Sequence, residues 1–279
     1  MAGSLSAQDA EQLRAFEREG HNALAQGYSA FFAQVTALAI APLLDAVRLA
    51  PGMRLLDVAT GPGNLAAAAS KRGAQPVGVD LSSGMIDLAR RRHPGIEFRE
   101  ADVEHLPFAD GTFDAVVCSF GLGHFPYPDA AVAECLRALK KGGRIACAWW
   151  AEPDRQRIQG LFREAAVDVG IPPPAGLPAG HSSLRFCQPA EFLRLLREAG
   201  LADVALEEHA GTHLVKSAQE LWNCGLGGMV LAAAAIRAQD KATQDVIWAA
   251  FERRALAYKC ENGLNVPIAF RIGSGRKPD

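Results

Sequence analysis

Along the first fifty positions, apolar residues recur at mixed spacings of three and four: Phe16, Leu24, Tyr28, Phe31, Phe32, Val35, Leu38, Ile40, Leu43 and Leu44. That is the repeat of helices that bury one face, so residues 10–50 are expected to be helical. The rhythm then changes. Short runs rich in branched residues at 54–59, 76–80, 96–100, 113–119 and 143–150 predict strands. Helix-like stretches lie between them at 64–73, at 82–92 with Ser82 or Ser83 as cap, and at 129–140 with Asp129 as cap. Strand alternating with helix implies crossover connections and a parallel sheet covered by helices on both faces. The runs AVVC and ACAWW, apolar at consecutive positions, fit a sheet buried on both sides.

Beyond Trp150 the pattern loosens. The segment IPPPAGLPAG (171–180) reads as a stiff loop, and 189–199 as a helix closed by Gly200. Residues 203–210 are compatible with a strand. Ser217-Ala218-Gln219-Glu220 is a capping-box pattern that opens a helix through about 238, and a second helix is expected over about 241–259. A strand at 266–272 closes the chain. This order suggests one structural domain: an N-terminal helical cap segment (1–50), a core (51–150), and a remainder (151–279) whose helices at about 215–262 cover the sheet.

Composition narrows the function classes. The chain has 279 residues, is 49% hydrophobic and 22% charged, and carries a formal charge of -2. That balance gives no global attraction to nucleic acid or to an anionic membrane. The longest apolar run, Met229 to Ile236, is too short to span a bilayer, and the N-terminal stretch lacks the features of a signal peptide. The six cysteines are scattered without a CxxC pair, so no metal site is expected from them. The expectation is a cytoplasmic protein acting on a small molecule, with neither nucleic acid nor membrane as partner. Its oligomeric state is left open.

The chemistry concentrates at Ala59-Thr60-Gly61-Pro62-Gly63, between a strand and a helix. Glycines allow a tight turn and close approach of a ligand to the backbone. Taken alone, Gly61-Pro62-Gly63-Asn64-Leu65-Ala66 also satisfies the dinucleotide pattern GxGxxA. Asp80, at the end of the second strand, is placed to accept ribose hydroxyls in either case. Asp102, in Ala101-Asp102-Val103 after the third strand, is placed to accept from an adenine amino group.

The segments LLDVATGPGNLA, VGVDLSSGMIDLAR, FREADVEHLPFADGTFDAVVCSF and ECLRALKKGGRIACAWW, taken in order, resemble the motifs of class I S-adenosylmethionine (SAM)-dependent methyltransferases. The similarity is greatest to the ubiquinone- and menaquinone-biosynthesis-type branch, and it covers about 54–150. It implies a Rossmann-like α/β three-layer sandwich with a mostly parallel seven-stranded sheet and a helical cap. It also implies SAM as cofactor, S-adenosylhomocysteine as product, and methyl transfer to a small acceptor through oxygen, nitrogen, carbon or sulfur. In this resemblance Asp57, Ala59, Thr60 and Gly61 hold the methionine moiety, and Asp80 binds the ribose. Leu81 and Met85 flank the adenine, and Asp102 and Val103 read its edge. Ser119 and Phe120 border the amino group, and Tyr28 closes the pocket. Ala59 departs from the glycine usual there, which bears on loop geometry. Asp57 serves equally well as a pin for the loop amides.

His124 follows the fourth strand, at the sheet edge where ligands bind, and is the candidate to deprotonate or orient a nucleophile, with a structural hydrogen bond as its other reading. His181, His209 and His213 fall in weakly patterned regions. Three other functions stay open. They are a SAM-fold enzyme of non-methylating, cyclase-like activity, an NAD(P)-dependent reductase, and a SAM-binding regulator.

Overall fold

A computed structural model of the chain describes residues 5–174, 177–178 and 182–279. His181 lies outside the described residues, as does part of the proline-rich loop. The chain opens with α1 (Ala7–Ala30), α2 (Phe32–Thr36) and α3 (Ile40–Ala46). The alternating region follows as β1 (Arg54–Val58), α4 (Asn64–Lys71), β2 (Gln75–Asp80), α5 (Ser83–Arg92) and β3 (Glu97–Glu100). It continues with β4 (Phe113–Ser119), α6 (Pro128–Ala138) and β5 (Leu139–Trp150). Then come α7 (Arg157–Asp168), α8 (Pro189–Glu198), β6 (Ala202–Val215), α9 (Ala218–Gly228), α10 (Leu231–Arg237) and α11 (Lys241–Ala255). The short β7 (Lys259–Cys260) and the long β8 (Gly263–Arg276) end the chain.

The strands form one mixed sheet in the order β3-β2-β1-β4-β5-β8-β6, with β7 paired to β8 as an eighth, two-residue strand. Strands β1 to β5 are mutually parallel, and β8 runs antiparallel to both β5 and β6. The expected α/β sandwich with a mostly parallel sheet is therefore present. Leu55, Leu56, Ala115, Val116, Val117, Ala146 and Ala148 are at or near zero exposure, as burial of both faces requires.

Element boundaries differ from expectation where the sequence carries conflicting signals. Helix α6 begins at Pro128 with Tyr127 in the cap position, so Asp129 lies in the first turn instead of capping it. Proline suits that first position because its missing N–H has no partner there anyway. Ser217 does cap α9, accepting from Glu220 N at 3.1 Å. The reciprocal arm reaches Lys216 N, and the helix stops at Gly228 instead of running to 238. Strand β6 is longer than predicted and largely exposed, because it is the sheet edge and its polar residues face solvent.

Helix α1 lies against α5 and α9. Its contact with α9 is backbone to backbone: a Cβ added at Gly27 would sit 1.9 Å from Gly227 O. Gly27→Ala must push the helices apart, with an expected loss of about 1–3 kcal/mol. Chemical denaturation measures it, and a variant as stable as the parent would show that α1 does not dock on α9 this way.

Candidate functional site

The loop after β1 is fixed from below. Asp57 is fully buried, and its Oδ2 accepts from Thr60 Oγ1 at 2.7 Å and from Ala66 N at 3.1 Å. One carboxylate oxygen thus ties the strand end to the loop and to the first turn of α4. Burial pushes the Asp57 carboxyl up to about 7, against the opposing pull of those two hydrogen bonds. Thr60 N donates to Val79 O at 2.9 Å, which anchors the loop to β2 as well. Ala59, Gly61 and Gly63 take φ values of 53°, 53° and 81°. Gly63 is required twice over, since a Cβ there would also lie 2.7 Å from the Phe98 ring. Above Gly61 nothing lies within 4 Å of an added Cβ, so that side of the loop is open to a ligand.

Asp80 closes the opposite wall. Its Oδ2 accepts from Gly61 N at 2.8 Å and its Oδ1 from Ser82 N at 2.9 Å. Burial raises the Asp80 pKa, while these amides and the facing His21 and His124 pull it back. Ser82 caps α5 through Met85 N at 3.1 Å. Asn22 of α1 accepts from Gly84 N at 2.9 Å and from Ser82 Oγ at 2.7 Å, clamping the helical roof to this corner. Asp102 Oδ1 accepts from Glu104 N at 2.9 Å, and its Oδ2 pairs with Arg14 Nε at 3.0 Å. Arg14 also bonds Glu104, so α1 is tied to the third strand end too.

These groups surround a cavity of about 560 Å³ above the carboxyl ends of the parallel strands. Of the residues singled out by sequence, Tyr28, Ala59, Gly61, Asp80, Leu81, Met85, Asp102, Val103, Ser119, Phe120 and His124 all line it. Asp57 and Thr60 do not; they lie beneath the loop and hold its shape. Tyr28 stacks on Phe32 with ring centroids 6.1 Å apart, and burial pushes its hydroxyl up to about 12. Phe120 has φ of 60°, rare for an aromatic residue, and stacks on Trp150 at 3.8 Å. His209 and His213 lie on β6 and do not line the cavity.

Sequence reasoning missed Glu17, His21 and Arg14 of α1. Glu17 and His21 are four residues apart, on one helix face, and that spacing was the available signal. His124 Nδ1 lies 2.9 Å from the buried Glu17 Oε1, and the His21 and His124 rings meet edge-on at 5.3 Å. Burial works against protonation of His124, but the Glu17 carboxylate, with Asp80 behind it, outweighs this and raises its pKa. Glu17, His21 and His124 bring ligand-capable atoms within 4.8 Å of one another. His21 Nδ1 lies 2.9 Å from Glu17 O, so both imidazoles are held to Glu17 through their Nδ1 atoms.

Residues 56–147 match the family described as Methyltransferase domain. The demethylmenaquinone methyltransferase of Renibacterium salmoninarum is 43% identical over 122 residues, covering 44% of this chain and 52% of that protein. The one from Streptomyces griseus is 31% identical over 183 residues, covering 62% of this chain and 77% of that protein. The chain spans about half the length of the first curated relatives it matches. Among solved structures, Haemonchus contortus phosphoethanolamine N-methyltransferase 2, bound to phosphomonomethylethanolamine and S-adenosylhomocysteine, superposes with a TM-score of 0.59 at 17% identity. It covers 96% of this chain and 60% of its own. The [4+2]-cyclase SpnF superposes at 0.54 with 25% identity, covering 88% of this chain and 80% of its own.

The left-handed backbone at Ala59 carries a strain of about 1 kcal/mol that glycine would not feel. Ala59→Gly is expected to keep or slightly raise the unfolding free energy in urea. A loss above about 1 kcal/mol, the scale of that strain, would show the loop is not held in this conformation.

Proposed function

This chain belongs to the class I SAM-dependent methyltransferases, and we propose that it moves the methyl group of SAM to a small, largely apolar acceptor bound in the same cavity. The observation that carries the reading is the convergence of Ala59, Gly61, Asp80, Met85 and Asp102 on one cavity at the strand ends. SAM supplies an activated methyl group and leaves as a neutral thioether.

The residues of the chain supply alignment, exclusion of water and a base. Asp80 has lone pairs left beyond its two amide bonds and offers them to ribose hydroxyls. Leu81, Met85 and Val103 give an apolar slot for a planar base, with Asp102 at its edge. Both oxygens of Asp102 already have a partner, Glu104 N on one and Arg14 on the other, so an amino group would use a remaining lone pair. Ser119 and Phe120 border the methionine end.

His124 accepts the proton of the acceptor nucleophile. With its Nδ1–H donated to Glu17, the Nε2 lone pair is free for this work. With SAM held there, the methyl group it would supply would take the place of the acceptor's proton, which His124 would hold. The names of the relatives favour an aromatic, quinone-like acceptor. A [4+2]-cyclase shares the fold over most of the chain, but the named relatives are methyltransferases, so a cyclase-like activity is not favoured.

Two measurements test this. Asp80→Ala should weaken SAM binding at least tenfold by calorimetry, and unchanged affinity would remove Asp80 from the ribose site. For the base, transfer of labelled methyl to demethylmenaquinol should fall on the acid side through a His124 pKa above the usual histidine value. The neutral imidazole is the active form, and it is lost as pH falls. Glu17→Gln removes the group that raises this pKa, so the acid limb should move to lower pH while kcat drops. The titratable groups facing His124 are Glu17, His21 and Asp80. An acid limb that stays in place would return His124 to a structural role.

A further inference from the structure

The cavity is not uniform in charge. Its cofactor side carries Glu17, Asp80 and Asp102 beside Arg14, Arg18 and His21, whereas among the described lining residues from Trp149 to Ala235 there is no aspartate or glutamate and Arg163 is the one charged side chain. That second side presents one face of α7 instead: Gln156, Gln159, Gly160 and Arg163, spaced as i, i+3, i+4 and i+7. Around them stand Ile171, Pro172, Leu184, Met229, Val230 and Leu231.

Gln156 is the informative member. It is 1% exposed and caps α7, its Oε1 accepting from Ile158 N at 3.1 Å. Its Nε2 is buried without a hydrogen-bond partner. Cap geometry fixes which end of the amide is the nitrogen, so an unmet donor stands at the wall of a binding cavity. Arg163, one face-repeat further on, lines the same wall and pairs with no carboxylate among the described residues. The first turn of α7 adds its own positive end to the same place. Buried unpaired donors are uncommon in folded proteins, and a group that is satisfied only by the ligand explains this one.

We propose that Gln156, supported by Arg163, recognises an anionic oxygen group on the methyl acceptor. The acceptor is thereby an apolar, ring-bearing compound whose anionic oxygen, a carboxylate or the oxygen of an ionised quinol, meets α7 while its ring lies among the aromatic and aliphatic walls. This rests on the methyltransferase reading of the cavity. The lack of carboxylates among the described residues of this wall fits it: an anionic oxygen is met by an amide, a guanidinium and a helix N-terminus.

The test uses the full chain loaded with S-adenosylhomocysteine and two probes of one shape, 2-naphthoate and naphthalene, in equilibrium dialysis. The parent should prefer naphthoate at least tenfold. Gln156→Glu keeps the cap oxygen, removes the donor and should abolish the preference. Arg163→Gln, at an exposed position, should reduce it several-fold. Naphthalene binding and affinity for S-adenosylhomocysteine should not move in either variant. Equal binding of the two probes, no binding of naphthoate, or an undiminished preference in both variants overturns the assignment. Failure of the parent to bind S-adenosylhomocysteine overturns the methyltransferase reading instead.

Discussion

Everything at the site depends on one topological constraint. Strand β1 has β2 on one side and β4 on the other, both parallel to it, so the chain leaves β1 toward one edge of the sheet and later returns toward the other. The crossovers diverge there and leave a crevice at the carboxyl ends. Each strand then contributes at its last residue or just beyond: Ala59 after β1, Asp80 on β2, Asp102 after β3, Ser119 and Phe120 at β4, and Trp150 on β5. Asp57 converts that crevice into a defined loop by holding Thr60 and Ala66 with one buried oxygen.

The roof follows a different physics from the floor. Below the crevice, packing is apolar and continuous. Above it, α1 reaches the strand ends largely through polar links: Arg14 to Asp102 and Glu104, Glu17 to His124, Asn22 to Gly84 and Ser82. Net contributions of such bonds are about 0.5–1.5 kcal/mol each, because water replaces them when they break. Apolar contacts add to these links, since Ala10 and Leu13 are fully buried and Ala25 packs with Met85 and Leu88 of α5.

What was legible in the sequence divides along the same line. The floor is built from local signals, namely consecutive branched residues for buried parallel strands and glycines at loop positions, so β1 to β5 and the cavity residues at their carboxyl ends could be read directly. The pairing of Glu208 with Arg271 across β6 and β8 could not, since the two are far apart in sequence and both read as surface charges. Glu17 was hidden for a similar reason. On a helix it is one acidic residue among several, and only the fold sets it at 4% exposure against an imidazole more than a hundred residues away. Ala59 shows the converse. Its departure from glycine was visible, but its left-handed backbone needed the structure.

A carboxylate as buried as Glu17 is costly unless hydrogen-bonded, and His124 and His21 are among the side chains that meet it. The bond between Glu17 and His124 spans the interface between the roof and the floor. In the proposed reaction this has a consequence beyond basicity. His124 comes from the turn after β4, and the group that sets its tautomer and raises its pKa comes from α1. With α1 displaced, His124 loses both its orientation and its partner. The proposed base is therefore assembled across the interface between α1 and the sheet. In the proposed reaction, the contact that ties α1 to the turn after β4 is thus also the one that prepares His124 to take a proton.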